Sequence, residues 1–243
     1  MMIAVFSLSG APGVTTLSLA LAGVWPDPAP VPIVEADASG GDVAPWWHLP
    51  PWPGVVDLAA SSRSGQDHDR PDLTSATQVL PGGARVCVAP SSADRTSAAL
   101  ELLSQNPKAL REGTSIVDLG RVRPQGPSAG LLAASDLAVL VCSGDIAQLK
   151  RVKESAGWMF RAGPHVGLAV VGGRGSEAEI SEVVGLPVWA RLPRDDKAAR
   201  FLTGQGDAAR IHRRPLIRAA RSLAATLHSR TQPAETGQVE EVR

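Results

Sequence analysis

The feature that most constrains the fold is a series of short, continuously apolar runs separated by segments of helical composition. Such runs are typical of strands buried on both faces, and their alternation with helices favours a mostly parallel, doubly wound α/β sheet with helices on both faces. The chain has 243 residues and is 44% hydrophobic, which suffices for the core of one large domain. We predict strands over 3–8, 31–34, 85–89, 115–119, 137–142 and 166–171. We predict helices over 15–23, 93–104, 130–135, 146–159 and 177–184.

Three segments depart from this alternation. Residues 44–54 read APWWHLPPWPG, and tryptophans among prolines predict a loop without a regular element. Residues 61–73 are polar and charged and predict a surface connection. We place a single domain at 1–228 and predict a disordered tail over 229–243, because the last residues lack periodicity.

The overall charge and the cysteines exclude several classes of protein. Lys and Arg together number 24, as do Asp and Glu, so the whole molecule has no net attraction for nucleic acid or membrane. Cys87 and Cys142 lie in apolar runs and belong to no C-x-x-C pair, which indicates buried thiols rather than a disulfide framework or a zinc site. No run approaches the roughly 20 apolar residues of a membrane span, and the N-terminus lacks the basic segment of a signal peptide. We therefore expect a cytoplasmic protein.

The first predicted strand runs into a loop suited to binding phosphate. Residues 9–16 read SGAPGVTT and lead directly into a predicted helix. Backbone N–H groups converge at a helix N-terminus, and the helix dipole favours negative charge there. Gly10 and Gly13 would let the backbone approach a ligand closely, and Thr15 lies where a hydroxyl could hold Mg²⁺. An ordinary strand-to-helix turn capped by threonine is the alternative interpretation of this segment.

The loop resembles the deviant Walker A motif of the ParA/MinD family of P-loop ATPases, K-G-G-x-G-K-T-T. Ser9 and Val14 stand where that family has its two lysines. Two further segments follow in the family's order. The sequence EADASGGD at 35–42 is similar to D-x-D-x-x-G-G, and the strand-like SIVDLG at 115–120 resembles a Walker B segment.

The resemblance continues to the end of the domain and covers residues 1–228. GLPVWARLPRD at 185–195 is similar to a family segment near the adenine, but Gly173 stands where the family usually has the asparagine that reads the base. The resemblance implies a P-loop NTPase fold with a nucleotide site. On that basis Asp37 and Glu35 would be the catalytic carboxylates, and Thr15 and Asp118 would hold Mg²⁺. The residues implied to bind phosphate are Gly10, Ala11, Pro12, Gly13, Val14, Thr15 and Thr16. The residues implied on the adenine side are Gly173, Arg174, Pro193 and Arg194.

The missing lysines lower the expected activity. A charge-assisted contact contributes about 1.5–3 kcal/mol to binding and more to phosphoryl transfer, so we expect weak or absent hydrolysis. Arg121 or Arg123, just after the Walker B segment, would replace the lost charge or would be solvated surface residues. ATP and Mg²⁺ are the expected cofactors, with a nucleotide-free scaffold as the alternative.

The family resemblance implies a pseudo-ATPase that positions or regulates cell-division, chromosome or plasmid partition, or pilus and secretion machinery. An active ATPase that dimerises around ATP through an atypical loop is the alternative function. A Rossmann-type dinucleotide enzyme is disfavoured, because the loop lacks G-x-G-x-x-G.

Two segments are candidate partner surfaces, and a homodimer or another protein is the implied partner. From residue 191 to 230 there are ten basic and three acidic residues, and Pro215 would open a final helix with one apolar stripe. Non-specific DNA is the implied ligand of this basic helix, or its basic edge is simply solvated; the stripe lacks Phe and Trp, which disfavours a membrane. The candidate DNA or partner contacts are Arg210, Arg213, Arg214, Arg218 and Arg221. The tryptophans Trp46, Trp47 and Trp52 would form a protein interface or cap the core.

Overall fold

The computed structural model describes residues 1–10, 12–63, 72–111, 113–207 and 209–230. Ala11, implied to bind phosphate, lies outside the described residues, and so does most of the predicted tail, 231–243. Ser229, which we assigned to that tail, is instead the last residue of a helix.

Within the described residues, eight strands form one sheet that is parallel except at one edge, where β3 runs antiparallel to β4. The spatial order is β3-β4-β2-β5-β1-β6-β7-β8. This confirms the predicted doubly wound α/β class. The strands are β1 (Met2–Ser7), β2 (Ile33–Glu35), β3 (Gln78–Val79), β4 (Arg85–Cys87), β5 (Ser115–Arg121), β6 (Leu137–Ser143), β7 (His165–Val171) and β8 (Val188–Leu192).

Helices cover both faces of this sheet. Helices α1, α8 and α9 contribute to the core on one face, and α3 to α7 contribute to the core on the other. The helices are α1 (Val14–Gly23), α2 (Val43–Trp46), α3 (Val55–Arg63), α4 (Ala93–Gln105), α5 (Ser128–Ala133), α6 (Ile146–Ala162), α7 (Glu177–Val184), α8 (Asp196–Leu202) and α9 (Pro215–Ser229). Short 3₁₀ turns occur at Pro107–Leu110 and Ile211–Arg213.

The central strand β1 explains why the strands read as unbroken apolar runs. Met2, Ala4 and Phe6 pack into the core on one face, whereas Ile3 and Val5 pack into the core on the other. Successive side chains of a strand point to opposite faces, so a strand covered on both sides needs apolar residues at every position. The result is a rigid strand that leads straight into the first loop.

The C-terminal helix α9 begins at Pro215, as predicted. Proline suits the first position of a helix because its missing N–H would have no partner there. The predicted apolar stripe is buried, which fixes this helix against the sheet beside α1. Its buried residues are Leu216, Ile217, Ala220, Leu223, Ala224 and Leu227.

The predictions for two irregular segments were partly wrong. The stretch 44–54, predicted as a loop, contributes to the single-turn helix α2, and residues 61–63 of the predicted surface connection end α3. Backbone groups at the start of α2 donate to the buried carboxylate of Glu35, a partner distant in sequence. No helix in the described part of the chain has the length and apolarity that a membrane crossing requires.

Candidate functional site

The loop between β1 and α1 forms the floor of a cavity of about 480 Å³. Gly13 caps α1 with φ at 96°, in the left-handed region that glycine adopts without strain. Because glycine has no side chain to cap the helix, the first-turn N–H groups of α1 receive no such hydrogen bond from it. The arrangement suits an anion at the positive end of the helix dipole. The cavity is lined by Ser7, Gly10, Pro12, Gly13, Val14, Thr15, Thr16, Asp37, Ser39, Asp42, Trp46, Gly120, Arg121 and Thr203.

A second cavity of about 310 Å³ continues from the same loop, since Pro12, Gly13 and Thr16 line both. Its other walls come from the ends of β6, β7 and β8 and from α8 and α9. Two of the residues predicted on the adenine side, Pro193 and Arg194, line it. The pair of cavities fits an elongated ligand with an anionic end at the loop.

The other two predicted adenine-side residues are not among the residues lining this second cavity. A methyl group added at Gly173 would lie 2.3 Å from the carbonyl oxygen of Gly144, so this glycine is needed for close packing of two loops. Arg174 is exposed. The structure therefore gives no support from this cavity to the prediction that Gly173 and Arg174 lie on the adenine side, which stays a prediction.

Beneath the loop, Asp118 is 2% exposed and accepts hydrogen bonds from the Thr15 hydroxyl and, at 3.0 Å, from the Gly120 N–H. Burial raises the pKa of Asp118 to about 7; the two hydrogen bonds oppose this rise, and the charges of Glu35 and Asp37 add to it. Three carboxylates thus crowd one region next to a loop that suits an anion. A divalent cation would relieve their mutual repulsion.

The donor set fits Mg²⁺ that arrives with a phosphate ligand. No group of three or more His, Cys, Asp or Glu side chains in the described residues could hold a metal ion by itself. Mg²⁺ binds oxygen and usually keeps several waters, together with one or two carboxylates and substrate phosphates. The Thr15 hydroxyl and the carboxylates of Asp118 and Asp37 are oxygen donors of this kind.

Asp37 lines the first cavity, and the backbone around it fixes its carboxylate. One oxygen, Oδ1, accepts a hydrogen bond from the Ser39 N–H at 2.8 Å. The other, Oδ2, lies so close to Gly120 that a methyl group added there would sit 1.8 Å away. Gly120 also has φ at 54°, so both conformation and space require glycine at this position.

Glu35, which we predicted as a catalytic carboxylate, is engaged by backbone donors in this structure. It is 3% exposed and is not among the residues that line the first cavity. Its Oε1 accepts hydrogen bonds from the N–H groups of Asp42 and Val43, both at 2.9 Å, and its Oε2 accepts one from Ala89 at 3.0 Å. Burial raises the pKa of Glu35, although these backbone donors lower it in part. The carboxylate therefore positions the segment that carries Asp42 to the cavity wall.

The two positions that hold lysine in the family motif carry uncharged side chains in this chain, and both contact other parts of the protein. Val14, the first residue of α1, is 7% exposed and packs into the core. The Ser9 hydroxyl donates to Oε1 of Gln148 at 2.7 Å. Among the described lining residues, the cations are Arg121 in the first cavity and Arg194 in the second.

Comparison with known proteins gives the fold a name. No family model matches the sequence, and no curated protein matches it significantly. Many solved structures match over nearly the whole chain, among them the cell division ATPase MinD of Pyrococcus furiosus, with a TM-score of 0.75 at 17% identity over 94% of this chain and 98% of that one. A ParA family ATPase from Chlorobium tepidum has a TM-score of 0.72 at 15% identity, covering 92% and 98% of the two chains. This chain has the fold of the ParA/MinD ATPases.

A third match is the septum site-determining protein MinD of Pyrococcus horikoshii, complexed with Mg-ADP. Its TM-score is 0.69 at 19% identity, covering 93% of this chain and 95% of that one. The recognition of a ParA/MinD-type P-loop fold from degraded motifs is confirmed. At these identities the likeness establishes the fold alone, so ligands and activity must be argued from this chain's own residues.

Several residues that line the first cavity were not among the predicted site residues. Ser39 and Asp42 lie within the acidic motif, and Gly120 lies two residues after Asp118, so their positions in the motifs were available signals. Thr203 comes from the end of α8, and no local pattern marks it. A residue that the fold brings to the cavity from a distant segment cannot be predicted from a local motif.

Arg214 also requires a correction. Its Nε donates to both carboxylate oxygens of Asp195, at 3.0 and 3.1 Å, and its Nη2 contacts the same carboxylate. The Asp195 side chain is 1% exposed. Burial acts to raise the pKa of Asp195, but the hydrogen bonds from Arg214 and two backbone N–H groups outweigh it, so this pKa is lowered. Arg214 joins α8 to α9 and is not the free DNA contact that we predicted.

The other predicted basic contacts are exposed. Arg210 and Arg213 line a cavity of about 580 Å³ together with Lys197 and Arg200 of α8. Arg218 and Arg221 are exposed along α9. These side chains form a positive surface, which we call the basic face (Lys197, Arg200, Arg210, Arg213, Arg218 and Arg221).

The three tryptophans divide between the two roles considered for them. Trp46 and Trp47 are partly buried and pack against a small core cluster, and Trp46 also lines the first cavity. The Trp47 indole N–H donates to the carbonyl oxygen of Leu202 at 3.3 Å. Trp52 is 66% exposed, which leaves it as the remaining candidate for a protein contact.

Proposed function

We propose that this chain is a ParA/MinD-like positioning or regulatory protein that binds ATP with Mg²⁺ and hydrolyses it slowly or not at all. The observation that carries the proposal is the glycine-capped start of α1, which opens on a cavity with Asp37 on its wall and the Thr15–Asp118 pair below. An anion site and a cation site side by side match the chemistry of a magnesium-bound phosphate chain.

Each part of the site would have a distinct role. The backbone of the loop and the dipole of α1 bind phosphate, while Thr15 and Asp118 hold the metal and Asp37 orients water near the terminal phosphate. Pro193 and Arg194 border the second cavity, which would take the nucleoside. Bound ATP with Mg²⁺ would supply a terminal phosphate whose presence distinguishes two states of the protein.

Slow hydrolysis follows from the charge around the phosphate site. Phosphoryl transfer needs positive groups that stabilise charge on the equatorial oxygens, and Val14 and Ser9 provide none. An active ATPase that dimerises around ATP is the second candidate. It requires the exposed Arg121 at the cavity to stabilise the charge of the transition state and not only to bind the triphosphate.

Partners would bind outside the nucleotide site. Exposed tryptophan is enriched at interaction hot spots, so Trp52 is our candidate contact for a protein partner or a second copy. The basic face would contact DNA phosphates without reading sequence. Alanine at Arg210 and Arg213 together should lower the salt dependence of DNA binding by about two in log–log slope, since each phosphate contact contributes about one. An unchanged slope would remove DNA from the list of partners.

The central test is a calorimetric titration with Mg-ATP, followed by a phosphate-release assay on the same samples. Gly13→Asp places a negative charge and left-handed strain in the loop and should abolish binding. Gly185→Asp is the matched control, because Gly185 also has a positive φ, at 80°, but lies in open space after α7. Binding by the wild type and the control, with turnover far below the enzyme median of about 10 s⁻¹, is expected. Absence of binding at millimolar ATP would refute the proposal, and rapid turnover would favour the second candidate.

A further inference from the structure

The position of Arg121 is set by an irregularity in the sheet. β5 pairs with β1, and the register shifts by one residue after Val5 so that Gly120 lies opposite Phe6. An extra residue in one strand re-aims the side chains that follow it, and such bulges are frequent beside active sites. The shift brings Arg121, instead of Gly120, opposite Ser7, the last residue of the strand that enters the phosphate loop.

The Arg121 side chain reaches the loop itself. Its Nη2 donates a hydrogen bond to the carbonyl oxygen of Gly10 at 3.2 Å, and its side chain forms part of the wall of the first cavity. This contact occupies one of the five N–H groups of the guanidinium, so the others can meet an oxygen of a ligand in the cavity. Arg121 is also exposed, so its guanidinium is accessible to a ligand in the cavity.

The charge balance of the cavity calls for a cation at this place. The described lining includes two carboxylates, Asp37 and Asp42, against one cation, Arg121. A triphosphate adds further negative charge, and the two positions that carry lysine in the motif hold Ser9 and Val14. A guanidinium matches phosphate with two parallel hydrogen bonds, which an ammonium cannot do.

We propose that Arg121 supplies the positive charge that the phosphate loop lacks, by contacting the phosphate chain of a nucleoside triphosphate from the end of β5. This inference rests on the proposed nucleotide function and names the residue that makes binding feasible without lysine. The Gly10 contact also links the guanidinium to the loop, so phosphate binding and loop position are coupled.

The decisive experiment compares ATP and AMP binding in the wild type and three variants, at constant Mg²⁺. Arg121→Gln keeps an N–H donor for Gly10 but removes the charge. Arg121→Lys keeps the charge but lacks the planar guanidinium that makes two parallel hydrogen bonds. Arg123→Ala is the matched control, because Arg123 is exposed two residues further on and does not line the first cavity.

The charge role predicts that Arg121→Gln weakens ATP binding by roughly tenfold to 100-fold, as expected for loss of a charge-assisted contact. AMP binding should change by less than about threefold, because the loss of a charge-assisted contact scales with phosphate charge. Arg121→Lys should recover part of the affinity, because it restores the charge without the two parallel hydrogen bonds, and Arg123→Ala should match the wild type.

Two results would overturn the inference while leaving the proposed function intact: unchanged ATP affinity in Arg121→Gln, or an equal loss for ATP and AMP, which would indicate a structural role. Wild-type protein that binds no ATP would overturn both proposals together.

Discussion

Restoring a lysine at position 14 is the most direct perturbation of the phosphate site. Val14 is the first residue of α1 and lines the cavity, so the Val14→Lys side chain can run along the helix and place its ammonium beside the bound phosphates. A charge-assisted contact contributes about 1.5–3 kcal/mol, and 1.4 kcal/mol is a tenfold change, so ATP affinity should rise roughly 10- to 150-fold.

The same substitution should cost some stability. Full burial of a valine side chain contributes about 1.5–3 kcal/mol, and lysine keeps part of that packing through its methylene stem. We expect a loss of about 1–2 kcal/mol, which lowers Tm by roughly 2–8 °C in a domain of this size. Thermal unfolding without nucleotide measures this cost separately from the gain in affinity.

Calorimetric titration with Mg-ATP is the assay, and Val14→Met is the control because methionine has a straight, flexible side chain without charge. The reasoning predicts tight binding by Val14→Lys and wild-type affinity for Val14→Met. If Val14→Lys binds ATP no more tightly than Val14→Met, position 14 does not face the phosphates and the assignment of the loop is wrong.

Three further predictions concern the carboxylates and the C-terminal junction. Gly120→Ala should displace Asp37 and weaken Mg-ATP binding at least tenfold, whereas Gly185→Ala, with a similar positive φ in open space, should leave binding unchanged in the same titration. Asp118 has a folded-state pKa of about 7, above the unfolded value, so the metal-free protein should lose stability as pH rises from about 4 to 7; urea unfolding in chelator should show that Asp118→Asn flattens this slope. Asp195→Asn removes the charge that pairs with the partly exposed Arg214 and should lower the midpoint of urea unfolding, and an unchanged midpoint would contradict the anchoring role.

The central strands could be predicted because burial on both faces leaves a plain signal in the sequence. The unbroken apolar runs found β1, β5, β6 and β7 within one or two residues at each end. The two-residue edge strand β3 was not predicted, since pairing with a single neighbour imposes little on composition. Strand β8 was not predicted as a strand and was noted only as part of a motif. One of its faces is partly exposed, so its sequence does not form an unbroken apolar run.

The position of the candidate phosphate loop could be predicted because a local sequence motif encodes it. Contacts between side chains that are distant in sequence could not be predicted in the same way. Glu35 and Asp37 share one motif, but β2 ends at Glu35, so the two carboxylates are directed differently. The pairing of Arg214 with Asp195 spans 19 residues and two helices, and no local pattern encodes it. Arg121 was one of two candidates in the sequence, and the register of β5 against β1 distinguishes it from Arg123.

A single-turnover experiment with γ-labelled ATP and protein in excess tests the account most directly, because it follows binding and hydrolysis of the same nucleotide. The account predicts that protein retains the label with Mg²⁺ and that the label stays in intact ATP long after binding is complete. Failure to retain the label would contradict the nucleotide site. Release of phosphate at ordinary enzyme rates, about 1–10³ s⁻¹, would contradict the claim that a lysine-free loop binds ATP without turning it over.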